Sequence, residues 1–187
     1  MKKIILMTML MGAVFAQRGW EGADLSGANL NRQNLEGLNL KRANFAGAIL
    51  TGVNLKDANL EKGYFVLANL EGANLEGANL KDANLTNAIL EGANLESADL
   101  TDADLRSANL YRADLTGAIL EDADLTGANL TNAILEGANL ESARLEGATL
   151  EGAILEGVRS SHISGKPASL PKGWSLVYGR LIKKDGE

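Results

Sequence analysis

The residue types that do acid–base, nucleophilic or metal chemistry are represented here almost entirely by carboxylates. The 187 residues hold 24 Asp and Glu, a single histidine and no cysteine. A chain without cysteine has no thiol nucleophile and no sulfur-ligated metal site, and one histidine cannot build a histidine-rich cluster. Ser161 stands next to His162, but adjacency along a chain does not place a hydroxyl against an imidazole, so a solvated loop pair is expected. Glycines recur at turn spacing rather than as a phosphate-binding loop. No enzyme and no cofactor are expected. One carboxylate arrangement has chemical potential: Asp102 and Asp104, repeated 20 residues on as Asp122 and Asp124. Two such pairs stacked about 4.8 Å apart would repel by roughly 1 kcal/mol per pair in water. Calcium, which accepts flexible carboxylate and water shells, would relieve that repulsion. The competing expectation is that the four side chains splay into solvent, with Arg144 partly neutralising the 104/124 column.

Whatever these residues do depends on the unit that carries them. A five-residue pattern, plainest at Ala73-Asn74-Leu75-Glu76-Gly77, runs 27 times without insertion from Ala23 to Gly157. Its third place is leucine except at Phe45 and Phe65, and alanine stands two places earlier except at Gln33, Leu38, Val53 and Gly63. On an α-helix, five residues advance about 500°, so the leucines would wander round the axis. On a flat strand, residues five apart face opposite sides. A coil that turns a corner once per unit gives every leucine the same interior, and a short fixed period of this kind signals a solenoid.

The corner residues agree. The place two after the leucine holds Gly, Asn, Asp or Ser in 22 of 27 units, the types that accept positive φ or bond locally in tight turns. Each unit therefore reads as inward Ala, outward Asn or Asp, inward Leu, outward polar residue and turn.

On these residues the run resembles the pentapeptide repeat family, whose motif is A(D/N)LXX, and it covers about 135 of the 187 residues. The resemblance implies an all-β fold, a right-handed β-helix of square cross-section with four units and 20 residues per coil. The 27 units then make about seven coils, a rod roughly 32 Å long at strand spacing. Four registers inside the chain fit that period. Phe45 and Phe65 fall 20 apart, as do Lys41, Glu61 and Lys81, then Glu36, Lys56 and Glu76, and the amides Asn34, Asn54, Asn74 and Asn94.

The two ends depart from the repeat. Residues 1–16 open with Lys2 and Lys3, continue apolar from Ile4 to Phe15 and finish Val14-Phe15-Ala16. That is the layout of a secretory signal peptide, and its apolar run is shorter than the ~20 residues of a membrane-spanning helix. The alternative is a hydrophobic cap on the first coil. Export to a secreted or periplasmic location follows from the first reading, and with no cysteine after the cut no lipid anchor is expected. Gln17 to Glu21 would then begin the rod, with Trp20 in register with the leucine places. Residues 17–157 form the β-helix, and residues 158–187 form a terminal cap in which Trp174 to Ile182 reads as one or two short strands. A docking tail is the alternative for that segment.

Removing the signal's two lysines takes the formal charge from −6 to −8. The array from Glu21 to Gly157 carries 22 acids and nine bases, net −13, whereas Val158 to Glu187 is net +4. So acidic a rod will not bind nucleic acid through phosphates. Two functions are consistent with it: an exported, non-catalytic scaffold that binds a protein partner, or, as the resemblance implies for some members of the family, a DNA mimic that protects a type II topoisomerase. An export signal, leucine rather than phenylalanine centres and the lack of an amphipathic dimerisation helix favour the scaffold. The most irregular unit, Gly63 to Leu67, sets Tyr64, Val66 and Leu67 on outward places. These three apolar side chains are the candidate binding or self-association surface; otherwise they cover the phenylalanine pair or rest against a terminal segment.

The expected cut gives a direct readout. Mass spectrometry of the exported protein should find Gln17, cyclised or not, as its first residue, and an intact Met1 in that fraction would overturn the export reading.

Overall fold

A computed structural model describes residues 20–184; the proposed signal segment 1–16 and its cut at Ala16 lie outside them. From Trp20 onward the backbone repeats one motif. Each leucine carbonyl accepts the N–H three residues ahead, as in Leu75 to Ala78 at 3.0 Å, which closes a tight turn. The third residue of that turn carries positive φ in every unit, close to 60° throughout. Glycine, asparagine and aspartate tolerate this region. Arg32, Arg42, Lys62, Leu67 and Arg112 adopt it as well, so the path is imposed by neighbouring coils and not left to each turn's own preference.

In the interior coils, three further N–H groups of each unit bond between coils. Leu75 donates to the Asn94 carbonyl (2.6 Å), Gly77 to Glu96 (2.8 Å) and Asn74 back to Val53 (2.9 Å). The fifth N–H, that of the residue after leucine, is satisfied by the outward Asn or Asp: Glu76 donates to Asn74 Oδ1 at 3.1 Å. Where Asn or Asp fills the outward place, the backbone donors of an interior unit are thereby all placed, as a half-buried chain requires; units with another residue there, such as Ile49 or Tyr64, lack that side-chain acceptor. This explains the motif's second position, since Asn and Asp carry an acceptor at the right reach.

Parallel bridges join every outward place to the one 20 residues on, from Asp24↔Asn44 through Thr149↔Ser169. The four-sided coil read from the sequence is therefore the observed one. It runs past the end of the leucine repeat: Arg159, Ser164 and Ser169 still pair with Asn139, Arg144 and Thr149. There the interior sizes are exchanged. Ser160 and Gly165 take leucine places while Val158 and Ile163 take alanine places, so volume inside the coil is kept with the large side chain two positions earlier.

The centre is a solid column of leucine and alanine, nearly all of it fully buried. Phe45 and Phe65 stack in it with ring centroids 4.8 Å apart and planes 10° from parallel. Gly63 accounts for how the second ring fits. A Cβ there would lie 2.7 Å from Phe65 Cε2 and 2.8 Å from the Leu60 carbonyl. Glycine replaces alanine at this place because the ring needs the space.

At the far end two strands, β1 (Trp174–Val177) and β2 (Arg180–Lys183), form an antiparallel hairpin. Its two-residue turn, Tyr178-Gly179, has positive φ at both positions (47° and 73°), as a type I′ turn requires. Leu181 is buried, and Trp174 and Leu176 pack half-buried against the core. Ile163 donates to the Gly179 carbonyl (3.0 Å) and Leu181 to Ser160 Oγ (3.1 Å), while Lys183 meets Glu156 at 2.8 Å. That contact holds the Glu156 carboxyl below its ordinary pKa. At the near end Trp20 occupies a leucine place, half-buried against the core, and donates to the Asn39 carbonyl at 2.9 Å.

Substitutions at Leu95, Glu96, Gly63 and Phe65 test this interior. Leu95→Ala should lower stability by about 2–5 kcal/mol through loss of packing, and Glu96→Ala by less than about 0.5 kcal/mol; similar melting shifts would contradict the inward–outward assignment. Gly63→Ala restores the commonest residue of the motif, yet it should cost about 1–3 kcal/mol through overpacking. Combining it with Phe65→Leu should recover most of that loss in the same melts.

Candidate functional site

Outward side chains stand in columns with a 20-residue repeat, so each column is a ladder with its own chemistry. Asn54 Nδ2 donates to Asn34 Oδ1 (2.9 Å), Asn74 to Asn54 (3.3 Å) and Asn94 to Asn74 (3.4 Å). Lys41 pairs with Glu61 at 2.7 Å and Lys56 with Glu76 at 2.8 Å. These contacts, hydrogen bonds first, push the Glu61 carboxyl below and the Lys56 ammonium above their ordinary values. Two expected rungs form differently. Lys81 reaches across the corner to Asp102 at 3.9 Å and not to Glu61, and Glu36 accepts from Asn54 Nδ2 at 3.0 Å in place of Lys56.

Three of the four aspartates considered for calcium are engaged by other side chains. Arg106 donates from Nε to Asp104 Oδ1 (2.8 Å) and from Nη2 to Oδ2 (2.6 Å), which holds the Asp104 carboxyl below its usual range. Asp124 accepts from the Thr126 hydroxyl and lies 3.5 Å from Arg144 Nη1. Asp102 faces Lys81, and Asp122 is exposed on the corner. Among the described residues no three His, Asp or Glu side chains converge as a cation site needs. His162 lies exposed in a turn place with φ 55°, and nothing pairs it with the neighbouring Ser161 as nucleophile and base.

Single exposed isoleucines such as Ile119 and Ile154 interrupt the polar columns elsewhere, but the unit from Gly63 to Leu67 is the one in which several outward places turn apolar together. All five of its places depart from the motif. Tyr64, in the middle of a column between Asn44 and Asn84, is 45% exposed, and Leu67 is 65% exposed. Val66 beside them is half-buried. Phe65 beneath is fully buried, so the inner ring and the outer patch are two sides of one local departure. Leu67 holds φ 60°, a region costing a branched side chain on the order of 1 kcal/mol. Thirteen other turn places have glycine.

The patch is larger than three residues. The turn at Leu67 leads to Asn69, which bridges Ile49 on one side and Ile89 on the other; those isoleucines are 42% and 40% exposed. Tyr64, Val66, Leu67, Ile49 and Ile89 thus share one corner over three coils. The two isoleucines were legible as a pair, since they replace Asn or Asp in the motif and stand 40 residues apart on one face.

At 33% identity the chain is similar to HetL, a pentapeptide repeat protein involved in heterocyst differentiation regulation from the cyanobacterium Nostoc sp. strain PCC 7120; the match covers 85% of this chain and 83% of HetL, with a TM-score of 0.42. Another pentapeptide repeat protein of Nostoc is 34% identical over 58% of this chain and 78% of its own, with a TM-score of 0.46. A trypsin-treated variant of QnrB1, a plasmid-mediated fluoroquinolone resistance protein, is 15% identical over 79% of this chain and 85% of that one, with a TM-score of 0.45. No curated relative matches the chain. The model of pentapeptide repeats matches in eight copies, over residues 23–61, 64–102, 90–122 and 118–157. The chain therefore belongs to the pentapeptide repeat family and is one of its non-enzymatic, right-handed quadrilateral β-helices.

Proposed function

We propose that this protein is an exported scaffold that binds another protein through the corner formed by Tyr64, Val66 and Leu67. The observation that carries the reading is Leu67: a branched apolar side chain, largely exposed, in a backbone conformation that glycine adopts elsewhere in the same rod. Exposure forgoes burial and the backbone is strained, so the folded rod gains nothing from leucine at this place. Arg32, Arg42, Lys62 and Arg112 share that backbone, but only at Leu67 does such a turn place in the array carry an exposed apolar side chain, and this points to a use outside the fold. Ile49 and Ile89 extend the apolar area, and such patches on otherwise polar surfaces mark contacts. The signal-like segment 1–16 supports the exported location, and the continuous polar ladders suit a rigid spacer that presents one corner.

The acidic array favours a second reading, the DNA mimic acting on a type II topoisomerase. Its net charge of −13 suits that role. It requires a cytoplasmic protein, so cell fractionation separates the two: a chain found in the cytoplasm with residues 1–16 attached revives mimicry.

Site-specific photocrosslinking tests the corner. A photoreactive residue at position 67 should form protein adducts in intact cells, and the same residue at Ser97, on a polar turn, should form few. Equal yields at the two positions would remove the corner from the proposal.

A further inference from the structure

Resting on that reading of the corner, we propose that its occupant is a second copy of this chain, packed side by side and antiparallel. The charge column bordering the patch is self-complementary. Along the corner just before the Tyr64 face stand Arg42, Lys62, Asp82, Asp102 and Asp122, at 20-residue intervals and all exposed. The Tyr64 bridges to Asn44 and Asn84 show these intervals to be successive coils. The column is positive for two coils and negative for three.

A two-fold axis lying along the strands and crossing the face between the coils of Lys62 and Asp82 reverses the column against itself. It sets Lys62 of one copy opposite Asp82 of the other and Arg42 opposite Asp102. Each pairing occurs twice, as an isologous interface demands. No like charges within these four coils face each other along the column. A parallel arrangement at the same height would oppose Arg42 to Arg42 and Asp102 to Asp102. Within each rod, Lys62 lies 3.8 Å from Glu61 and 3.9 Å from Asp82, and Asp102 lies 3.9 Å from Lys81, loose contacts that pairing across an interface would replace.

The same axis brings the apolar unit of each copy within one coil of its mate. Tyr64, Val66 and Leu67 from the two chains then form adjoining rows at the centre, with the charged column at the rim. That is the ordinary anatomy of a protein interface. Opposite each protruding Leu67 the axis sets the partner's Thr86-Asn87 turn, so the two apolar rows meet diagonally, one coil apart. The overall acidity of two rods opposes association at long range, but exposed charges are screened beyond about 8 Å at physiological salt, whereas the facing pairs are in contact. A face four coils tall buries well under the roughly 800 Å² per partner of a standard interface, so a weak dimer is expected, in the micromolar range or above.

Sedimentation equilibrium of the purified chain tests the pairing, with processing and mass checked by mass spectrometry. A concentration-dependent monomer–dimer equilibrium is expected, and Leu67→Ser should shift it to monomer. Arg42→Asp should weaken the dimer about tenfold or more, the size of effect typical of lost interfacial charge pairs. The double variant Arg42→Asp with Asp102→Arg should restore it. Both exchanges introduce residue types that already occupy positive-φ turn places in this rod, and unchanged melting curves would show that each variant folds. A monomer at all concentrations, a dimer indifferent to Arg42→Asp, or a double variant no better than the single one would overturn the pairing. Crosslinks from position 67 to other proteins alone would also overturn it while leaving the proposed function of the corner intact.

Discussion

Through the interior coils, each leucine N–H donates to the carbonyl nineteen residues ahead, and each outward N–H donates back by twenty-one. Those two bonds hold the coil at 20 residues and stack every side chain above its counterpart in the coil below. Everything else in the molecule follows from that stacking. A large residue in the core must be matched within its own coil, as Gly63 is to Phe65. A charge on the surface must be compatible with the charge one coil away. A turn residue must accept positive φ whether or not its type favours it. The rod tolerates Arg32 and Leu67 at turn places because many inter-coil bonds, each worth about 1 kcal/mol, outweigh a local strain of similar size.

Most of this was open to reading because the motif exposes its own geometry. A leucine every five residues excludes helix and flat strand, and Gly, Asn and Asp two places later announce the turn. What stayed hidden depended on contacts outside the motif. The reason for Gly63 lies in the position of the Phe65 ring, which no spacing reveals. The coil beyond Gly157 was missed because Val158 with Ser160, and Ile163 with Gly165, exchange large and small places and break the pattern while keeping the volume. Tyr178-Gly179 makes the hairpin turn with tyrosine where asparagine is the usual signal. Lys81 was assigned to the wrong carboxylate because a long side chain at a corner can reach the neighbouring column as readily as its own.

The surface divides in a way that the candidate site shares. Regular ladders of amides and ion pairs largely satisfy themselves, and Asp82, Asp99, Asp102, Asp104, Asp114 and Asp124 engage arginine, lysine or threonine rather than one another. The apolar corner does not satisfy itself. Beneath it the core is complete, with Phe45 and Phe65 fully buried, so the exposed side chains above add nothing to the interior. The distinction between a surface that is finished and one that is not is sharper in a solenoid than in a globular domain, because each irregular residue can be compared with its equivalents in other coils.

The 20-residue register also governs how such a chain can change length. Duplicating or deleting one whole coil leaves every downstream column on its own face, so the ladders and the corner keep their neighbours. Gaining or losing a single five-residue unit costs little in the core, since all units fill it alike, but it turns everything downstream by a quarter of a revolution. Lys41 would then stand over Lys56 or Val66 instead of Glu61, and the acidic corner would move to another side of the rod. Core packing thus permits steps of five, whereas the surface permits only steps of twenty.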